Sequence, residues 1–278
     1  MKKTKKFISL FITICLLMTF IPMQMAYADS AFSGGNGTKD DPYLITNAND
    51  FKQLATEVNG GNNYSNTYFK IPETVTETIE LSTDDGYVPI GNDTNQFEGT
   101  FDGGNHTINL NLTGEELVGL FGEGGENSNL CNIRTTGSVS MTGYYAGGIV
   151  ANMYGNVVNC HNEASVTGYY HVGGIVGISD NSKYIINCSN SGAIVGNMNV
   201  GGIVGNISTL KVINCLNTGT VQGSSCGGIA GYSGLYSKIY NCINNGLVTK
   251  KSDGNYIGGL FCEKNGMMLL EIVITTEQ

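Results

Sequence analysis

Two short phrases recur along most of this chain, and their spacing leaves few architectures open. Gly173-Gly174-Ile175-Val176-Gly177 is followed by Asn187-Cys188-Ser189-Asn190. The double glycine returns at Gly147-Gly148, Gly201-Gly202, Gly227-Gly228 and Gly258-Gly259. Asn-Cys-x-Asn returns at 159–162, 214–217 and 241–244, so that successive cysteines lie 28, 27 and 27 residues apart. A fixed period in this range marks a stacked-repeat architecture.

Leucine-rich repeats share the period but need an L-x-x-L-x-L phrase, which is missing here. The apolar positions are Ile, Val and Cys in short runs broken by Gly and Asn, and no window from 117 to 262 has helical spacing. The predicted fold is therefore all-β: a parallel β-helix (β-solenoid) with coils of about 27 residues and an N-terminal capping helix. Stacking such coils makes ladders. Cys160, Cys188, Cys215 and Cys242 form one, with Ile133 in the same slot a coil earlier. Asn162, Asn190, Asn217 and Asn244 form a second, at the same pleat parity. They fall where the chain turns, and Asn both tolerates left-handed backbone and bonds its own kind in the next coil. Val139, Val166, Ile194, Val221 and Val248 form a third ladder; Ala146, Val172, Val200, Cys226 and Ile257 form a fourth.

Four domains follow. Residues 1–28 read as a secretion signal, with Lys2, Lys3, Lys5 and Lys6 ahead of an apolar run and Ala26-Tyr27-Ala28 as the cleavage triplet. Residues 29–113 form a cap and irregular first coils. Within them Asn47 to Asn59 is predicted as a helix: Asn47 is an N-cap, Phe51, Leu54, Ala55 and Val58 make one apolar stripe, and Gly60-Gly61 ends it. Residues 114–262 are the solenoid repeats. Residues 263–278 lack the repeat phrase and read as an atypical tail, either a closing strand or the cut end of a longer reading frame.

Gly119-Leu120-Phe121-Gly122 reads Gly-Leu-hydrophobic-Gly, and 174–177, 202–205 and 228–231 repeat it with Ile for Leu; in this phrase the chain resembles the GLUG-motif family of secreted bacterial repeat proteins. Gly148-Ile149-Val150-Ala151 and Gly259-Leu260-Phe261-Cys262 depart at the last glycine. Asp41-Pro42-Tyr43-Leu44-Ile45 and Gly99-Thr100-Phe101-Asp102-Gly103 resemble the leader that precedes such repeats. The resemblance implies a secreted or cell-surface location. Some members sit beside an immunoglobulin-A-cleaving metalloprotease domain; others are adhesin-like.

Catalytic signatures are sparse. The three histidines, His106, His161 and His171, form no H-E-x-x-H, and no Gly-x-Ser-x-Gly elbow occurs. Asp84, Asp85, Asp93, Glu98 and Asp102 are the densest acidic group, and solvated turn residues account for them better than an acid–base pair does. The seven cysteines left after signal removal first suggest disulfides. Their count is odd, however, and residues stacked about 4.8 Å apart exceed the roughly 3.8 Å Cβ separation of a disulfide. They read as small buried hydrophobes.

One surface feature suits a ligand. Tyr144-Tyr145 and Tyr169-Tyr170-His171 fall at the same place in adjacent coils, and rings with polar tips fit sugar faces and protein contacts. The expectation is a secreted or surface protein that binds rather than catalyses, without cofactor or metal. Its partner would be an extracellular glycan or host surface protein. With four of 14 bases leaving with the signal against 23 acids, the mature chain excludes nucleic acid as a partner, and membrane insertion after signal removal is not expected. The alternatives are a polysaccharide-active β-helix enzyme and an accessory fragment of a longer surface metalloprotease.

Overall fold

The computed structural model describes residues 32–179, 183–208, 211–234, 237–251, 256–264, 269–271 and 274–275; the predicted signal at 1–28 lies outside the described residues. The fold is a β-solenoid of about eight turns with coils of about 27 residues and one short N-terminal helix. One coil shows the plan. Tyr170–Gly173 leads to Val176–Ser179, then Tyr184–Ile186, then Ser189–Asn190 and Ile194–Val195, and the path returns at Met198–Gly201. Each segment pairs in parallel with its equivalent one coil on, which builds sheets of nine, six, six and twelve strands.

The double glycine has a steric cause. A Cβ on Gly173 would lie 1.9 Å from the Val176 carbonyl oxygen, and one on Gly174 would lie 2.2 Å from Gly202 O and 2.5 Å from the Asn190 amide carbon. The two strands on either side fold back so closely that backbone packs on backbone. Ile149, Ile175, Ile203 and Ile229 point from these arches into the core, fully buried.

The Asn-Cys-x-Asn phrase divides its work among its residues. The first asparagine carries the left-handed turn: Asn132, Asn159, Asn187, Asn214 and Asn241 have φ between 49° and 55°. The expectation that the second asparagine occupies the left-handed turn is corrected here. Asn162, Asn190, Asn217 and Asn244 sit in short strands and are buried. Their side chains explain why. Asn162 Nδ2 donates to Asn190 Oδ1 (2.7 Å), Asn190 to Asn217 (2.8 Å) and Asn217 to Asn244 (2.8 Å). Each amide also donates to the carbonyl two residues on, as Asn190 does to Gly192 O at 3.0 Å. Asn162, Asn190 and Asn217 thus each donate two bonds, which stabilises the stack, whereas one missing member leaves polar groups unpaired. The first asparagines form a parallel ladder on the outside, Asn187 donating to Asn159 Oδ1 and Asn214 to Asn187 Oδ1, both at 3.1 Å.

Between the two amide ladders run the thiols. Cys160, Cys188, Cys215 and Cys242 are free and buried, each donating weakly to the carbonyl two residues before it. Burial pushes the Cys188 and Cys215 thiols well above their ordinary range, helped by the neighbouring sulfur in the stack. The third and fourth ladders have the expected register, Val139↔Val166↔Ile194↔Val221↔Val248 and Ala146↔Val172↔Val200↔Cys226↔Ile257. Ile257 departs from its ladder in being half exposed.

The helix spans Ala48–Asn59, and Asn47 Oδ1 accepts from the backbone N–H groups of Asn49 and Asp50. Phe51, Leu54, Ala55 and Val58 are buried, with the Phe51 ring 5.6 Å from that of Phe101 in the first coils. Asp50, also buried, accepts from the Ser33 hydroxyl and the Thr46 N–H at 2.7 Å each, and from Asn47 Nδ2 at 3.0 Å. This carboxylate ties the incoming chain to the helix start. At the other end, the tail without repeat phrases continues the stack. Leu269–Glu271 pairs with Lys238–Tyr240, and Ile274–Thr275 pairs with Ile243–Asn244.

Candidate functional site

The tyrosine step sits on strands Tyr145–Gly147 and Tyr170–Gly173. Their register, Ala146↔Val172 and Gly147↔Gly173, places Tyr144 beside Tyr170 and Tyr145 beside His171. Ala146 and Val172 point into the core, so the flanking residues face out. The Tyr144 and Tyr170 rings stack at 5.8 Å and 11°, and Tyr145 lies over His171 at 5.3 Å and 28°. Tyr169, one residue off the alignment, meets the Tyr170 ring edge-on at 4.7 Å. Tyr144 and Tyr169 are 56 % and 49 % exposed. The row extends one coil further than the sequence reading: Tyr170 pairs with Met198, also exposed, and His171 Nδ1 meets the Asn199 amide nitrogen at 3.2 Å.

Stacking along the solenoid axis turns ring faces toward each other. The ridge therefore offers a partner ring edges and phenol hydroxyls. Ring edges and hydroxyls suit hydrogen bonding along an extended ligand more than the flat seating of one sugar.

The acidic group does not converge. Asp102 Oδ1 accepts from Gly104 N and from Asn132 Nδ2, both at 2.9 Å, and so ends the outer asparagine ladder. Glu98 accepts from Asn127 N at 2.8 Å, and the Asp85 carbonyl accepts from Lys52 Nζ at 2.7 Å. Asp93 alone faces another carboxyl, that of Glu123, which the sequence reading passed over. Glu123 is only 4 % exposed and accepts from Gln96 Nε2 at 2.6 Å; burial raises its pKa, and the nearby Asp93 raises it further. Its signal in the sequence is register: Glu123 pairs with Asn152, a polar residue in the same slot of the next coil.

A Ser-His-Glu line forms across two coils without a local sequence motif. Ser189 Oγ lies 2.6 Å from His161 Nδ1, and His161 Nε2 lies 3.1 Å from Glu163 Oε1. Arg134 holds the same carboxylate at 2.8 Å. This line lies along one sheet face, and the Ser189 N–H that could serve an oxyanion donates to Cys160 O instead. His106 precedes Thr107, which is in register with Arg134 and His161 on the two following strands, so it stands about two strand steps, or about 10 Å, from His161. Among the described residues no group of three or more His, Cys, Asp or Glu could hold a metal ion, and no helix is long and apolar enough to cross a membrane.

Comparison with known proteins follows the same lines. The chain matches no family model. It is 32 % identical over 165 residues to a "Putative Gly-rich membrane protein" of Evansella cellulosilytica, covering 56 % of this chain and 18 % of that protein. It is 36 % identical over 155 residues to "Halomucin" of Haloquadratum walsbyi, covering 52 % of this chain and 2 % of that one. The chain thus spans under a fifth of either relative's length. Among solved structures, the crystal structure of a "putative immunoglobulin A1 protease" from Bacteroides ovatus superposes with a TM-score of 0.68 at 21 % identity, over 89 % of this chain and 81 % of that one. At that identity the likeness is one of fold: this chain and that protein share the β-solenoid.

Proposed function

We propose that the chain is a GLUG-type solenoid of a secreted or cell-surface protein, and that it binds an extracellular glycan or a host surface protein without catalysing a reaction. The observation that carries this reading is the row Tyr144–Tyr170–Met198, exposed at Tyr144 and Met198 and half-buried at Tyr170, flanked by Tyr145, Tyr169 and His171. Stacking turns one side chain per coil into a row with steps of about 4.8 Å, which sums weak contacts along an extended partner. The names of the two relatives, one a membrane protein, fit a surface location. The GLUG assignment draws support from the arches, where the motif glycines from Gly119 to Gly231 lie against backbone.

The test is a glycan and host-protein binding screen on residues 29–278, beside a variant with Tyr144, Tyr145, Tyr169 and Tyr170 all changed to alanine. Weak single-site binding that the variant loses, and that rises when copies are immobilised together, is expected. Binding that survives loss of all four rings removes the ridge from the proposal. Turnover of any polysaccharide or protein by the purified chain overturns the non-catalytic reading.

A further inference from the structure

The chain's acidity is not evenly spread. Residues 32–126 hold three lysines against sixteen Asp and Glu, whereas residues 127–251 hold six bases against Glu163 and Asp180 alone. One of those six, Arg134, is already paired with Glu163. Three of the others converge on one surface. In the nine-stranded sheet, Tyr184, Lys211 and Lys238 are in register on successive strands, and Lys183 is exposed one residue before Tyr184. Ile185, Val212 and Ile239 between them are buried, so the residues on either side point outward.

Lys211 and Lys238 thus stand directly opposite each other, an arrangement of like charges that weakens a sheet. No carboxylate among the described residues bridges to either, and the Lys211 ammonium rests 4.9 Å above the Tyr184 ring. Beside the lysines runs a strip of Val158, Ile186, Ile213 and Tyr240, all half exposed. Beyond that strip lies the outer ladder Asn159–Asn187–Asn214, with one carboxamide per coil. The nearest acidic residue along this strip is Glu271, in register with Tyr240 one strand beyond the last lysine, and the acidic end of the molecule lies further off. Asp102 and Ile213 are four strand steps apart in the sheet, about 19 Å at 4.8 Å per step, or roughly two Debye lengths at physiological salt.

We propose that this face, from Lys183 to Tyr240, is a second binding site, distinct from the tyrosine ridge, and that it takes a linear acidic glycan lying along the solenoid axis. The lysines meet carboxylate or sulfate groups, while the amide ladder and the tyrosines meet hydroxyls and the apolar edges of the sugars. Duplex DNA fits less well, because it presents a charge every 1.7 Å or so of its axis, far denser than one lysine per coil.

The test measures affinity of the mature chain for polygalacturonate, dextran sulfate, neutral dextran and duplex DNA across a salt series. Lys183→Gln/Lys211→Gln/Lys238→Gln is compared with the matching triple Arg variant and with Tyr144→Ala/Tyr170→Ala, each checked for an unchanged melting curve. The wild type should bind at least one of the two acidic polymers and not neutral dextran. The Gln triple should lose roughly tenfold or more, and its log–log salt slope should fall by about 2 to 3. The Arg triple and the tyrosine variant should bind as wild type does. Preference between polygalacturonate and dextran sulfate identifies the anionic group. Equal binding of neutral dextran, tighter binding of DNA, wild-type affinity in the Gln triple, or no binding by the wild type would overturn the proposal.

Discussion

The first hundred described residues and the repeats that follow them solve one packing problem in two ways. In residues 32–126 the coils are irregular and their core is aromatic: Phe32, Phe51, Phe69, Phe97, Phe101 and Phe121 are buried, with ring-to-ring contacts running from one to the next. From 127 to 251 the core contains no buried ring among the described residues. It is filled by Val, Ile, Ala and Cys in columns, with a column of asparagine amides through it. Irregular coils leave unequal spaces, which large rings fill one by one. Equal coils leave equal spaces, so each slot needs a residue whose own copy fits above and below it. The helix and the Asp50 clamp belong to the first solution, because the opening edge of a solenoid must be covered. The glycine arches and amide chain belong to the second.

A charge placed in the repeat column should break the second solution outright. Cys188→Asp puts a carboxylate between Cys160 and Cys215 in a stack without a counter-ion, a loss of more than about 4 kcal/mol. Circular dichroism should show a chain that no longer folds. Wild-type stability in that variant would show that Cys188 does not face inward. Phe101→Ala should be the largest single-cavity effect in the first region, about 3–5 kcal/mol by denaturant unfolding. A much smaller loss would mean that the aromatic cluster collapses onto the gap, and that irregular coils are the more adaptable of the two.

Alkaline solution separates the regions by their titrating groups. Burial pushes Cys131 up to about 11, with Asp102 adding to the rise, and raises Cys188 and Cys215; Cys242 is raised chiefly by Cys215 in the stack. Each folded thiol therefore keeps its proton at a pH where the unfolded thiol, near 8.5 to 9, has lost it. The stability they contribute is full below that pH and is lost as pH rises toward the folded value. The slope is about 1.4 kcal/mol per pH unit for each thiol that ionises only on unfolding. Melting should fall steadily above about pH 9. Cys188→Ala/Cys215→Ala/Cys242→Ala should flatten that fall; an unchanged slope would place the titration elsewhere, with Tyr64 and Tyr87, both raised mainly by burial, as its source.

The repeats were legible in the sequence because a ladder is a sequence property: a residue type at a fixed period has its neighbour fixed in space. That logic gave the cysteine column, the Val139 and Ala146 ladders and the helix stripe. It reached less far where the information is not periodic. The position of Tyr170 over Tyr144 follows from the 26-residue spacing of Gly147 and Gly173, but the stacking of those rings and the edge-on contact of Tyr169 with Tyr170 have no periodic signal. The clamp at Asp50 joins residues on either side of a loop, and Glu123 meets Gln96 across coils of unequal length. The tail stayed open between a closing strand and a cut end because its apolar run at 267–274 lacks the Gly and Asn markers of the other coils, although Leu269–Glu271 pairs as a strand.

The inner amide chain should be less sensitive than the thiol column. Asn190→Ala removes the bonds to Asn162 and Asn217, yet Asn162 Nδ2 keeps Ala164 O and Asn217 Oδ1 keeps the Gly219 N–H. The expected loss is about 1–3 kcal/mol, measured by urea unfolding. A loss as large as that of Cys188→Asp would mean that the chain acts cooperatively over several coils.

The smallest effect sharpens the division between the two asparagines of the phrase. Asn187 is exposed, its φ is 55°, and its side chain bonds only to its equivalents in neighbouring coils. Two causes could place asparagine there, the left-handed backbone or the outer ladder. Asn187→Gly removes the side chain and leaves the turn unstrained, while Asn187→Ala removes the side chain and strains the turn by about 1 kcal/mol. Backbone control therefore predicts that the Gly variant matches wild type within about 0.5 kcal/mol and the Ala variant falls about 1 kcal/mol below it. If the ladder dominates, both variants fall together. Exposed amide bonds exchange readily with water and their net value is small, so the first outcome is expected. It would also leave the outer carboxamides free to meet a ligand at little cost to the fold.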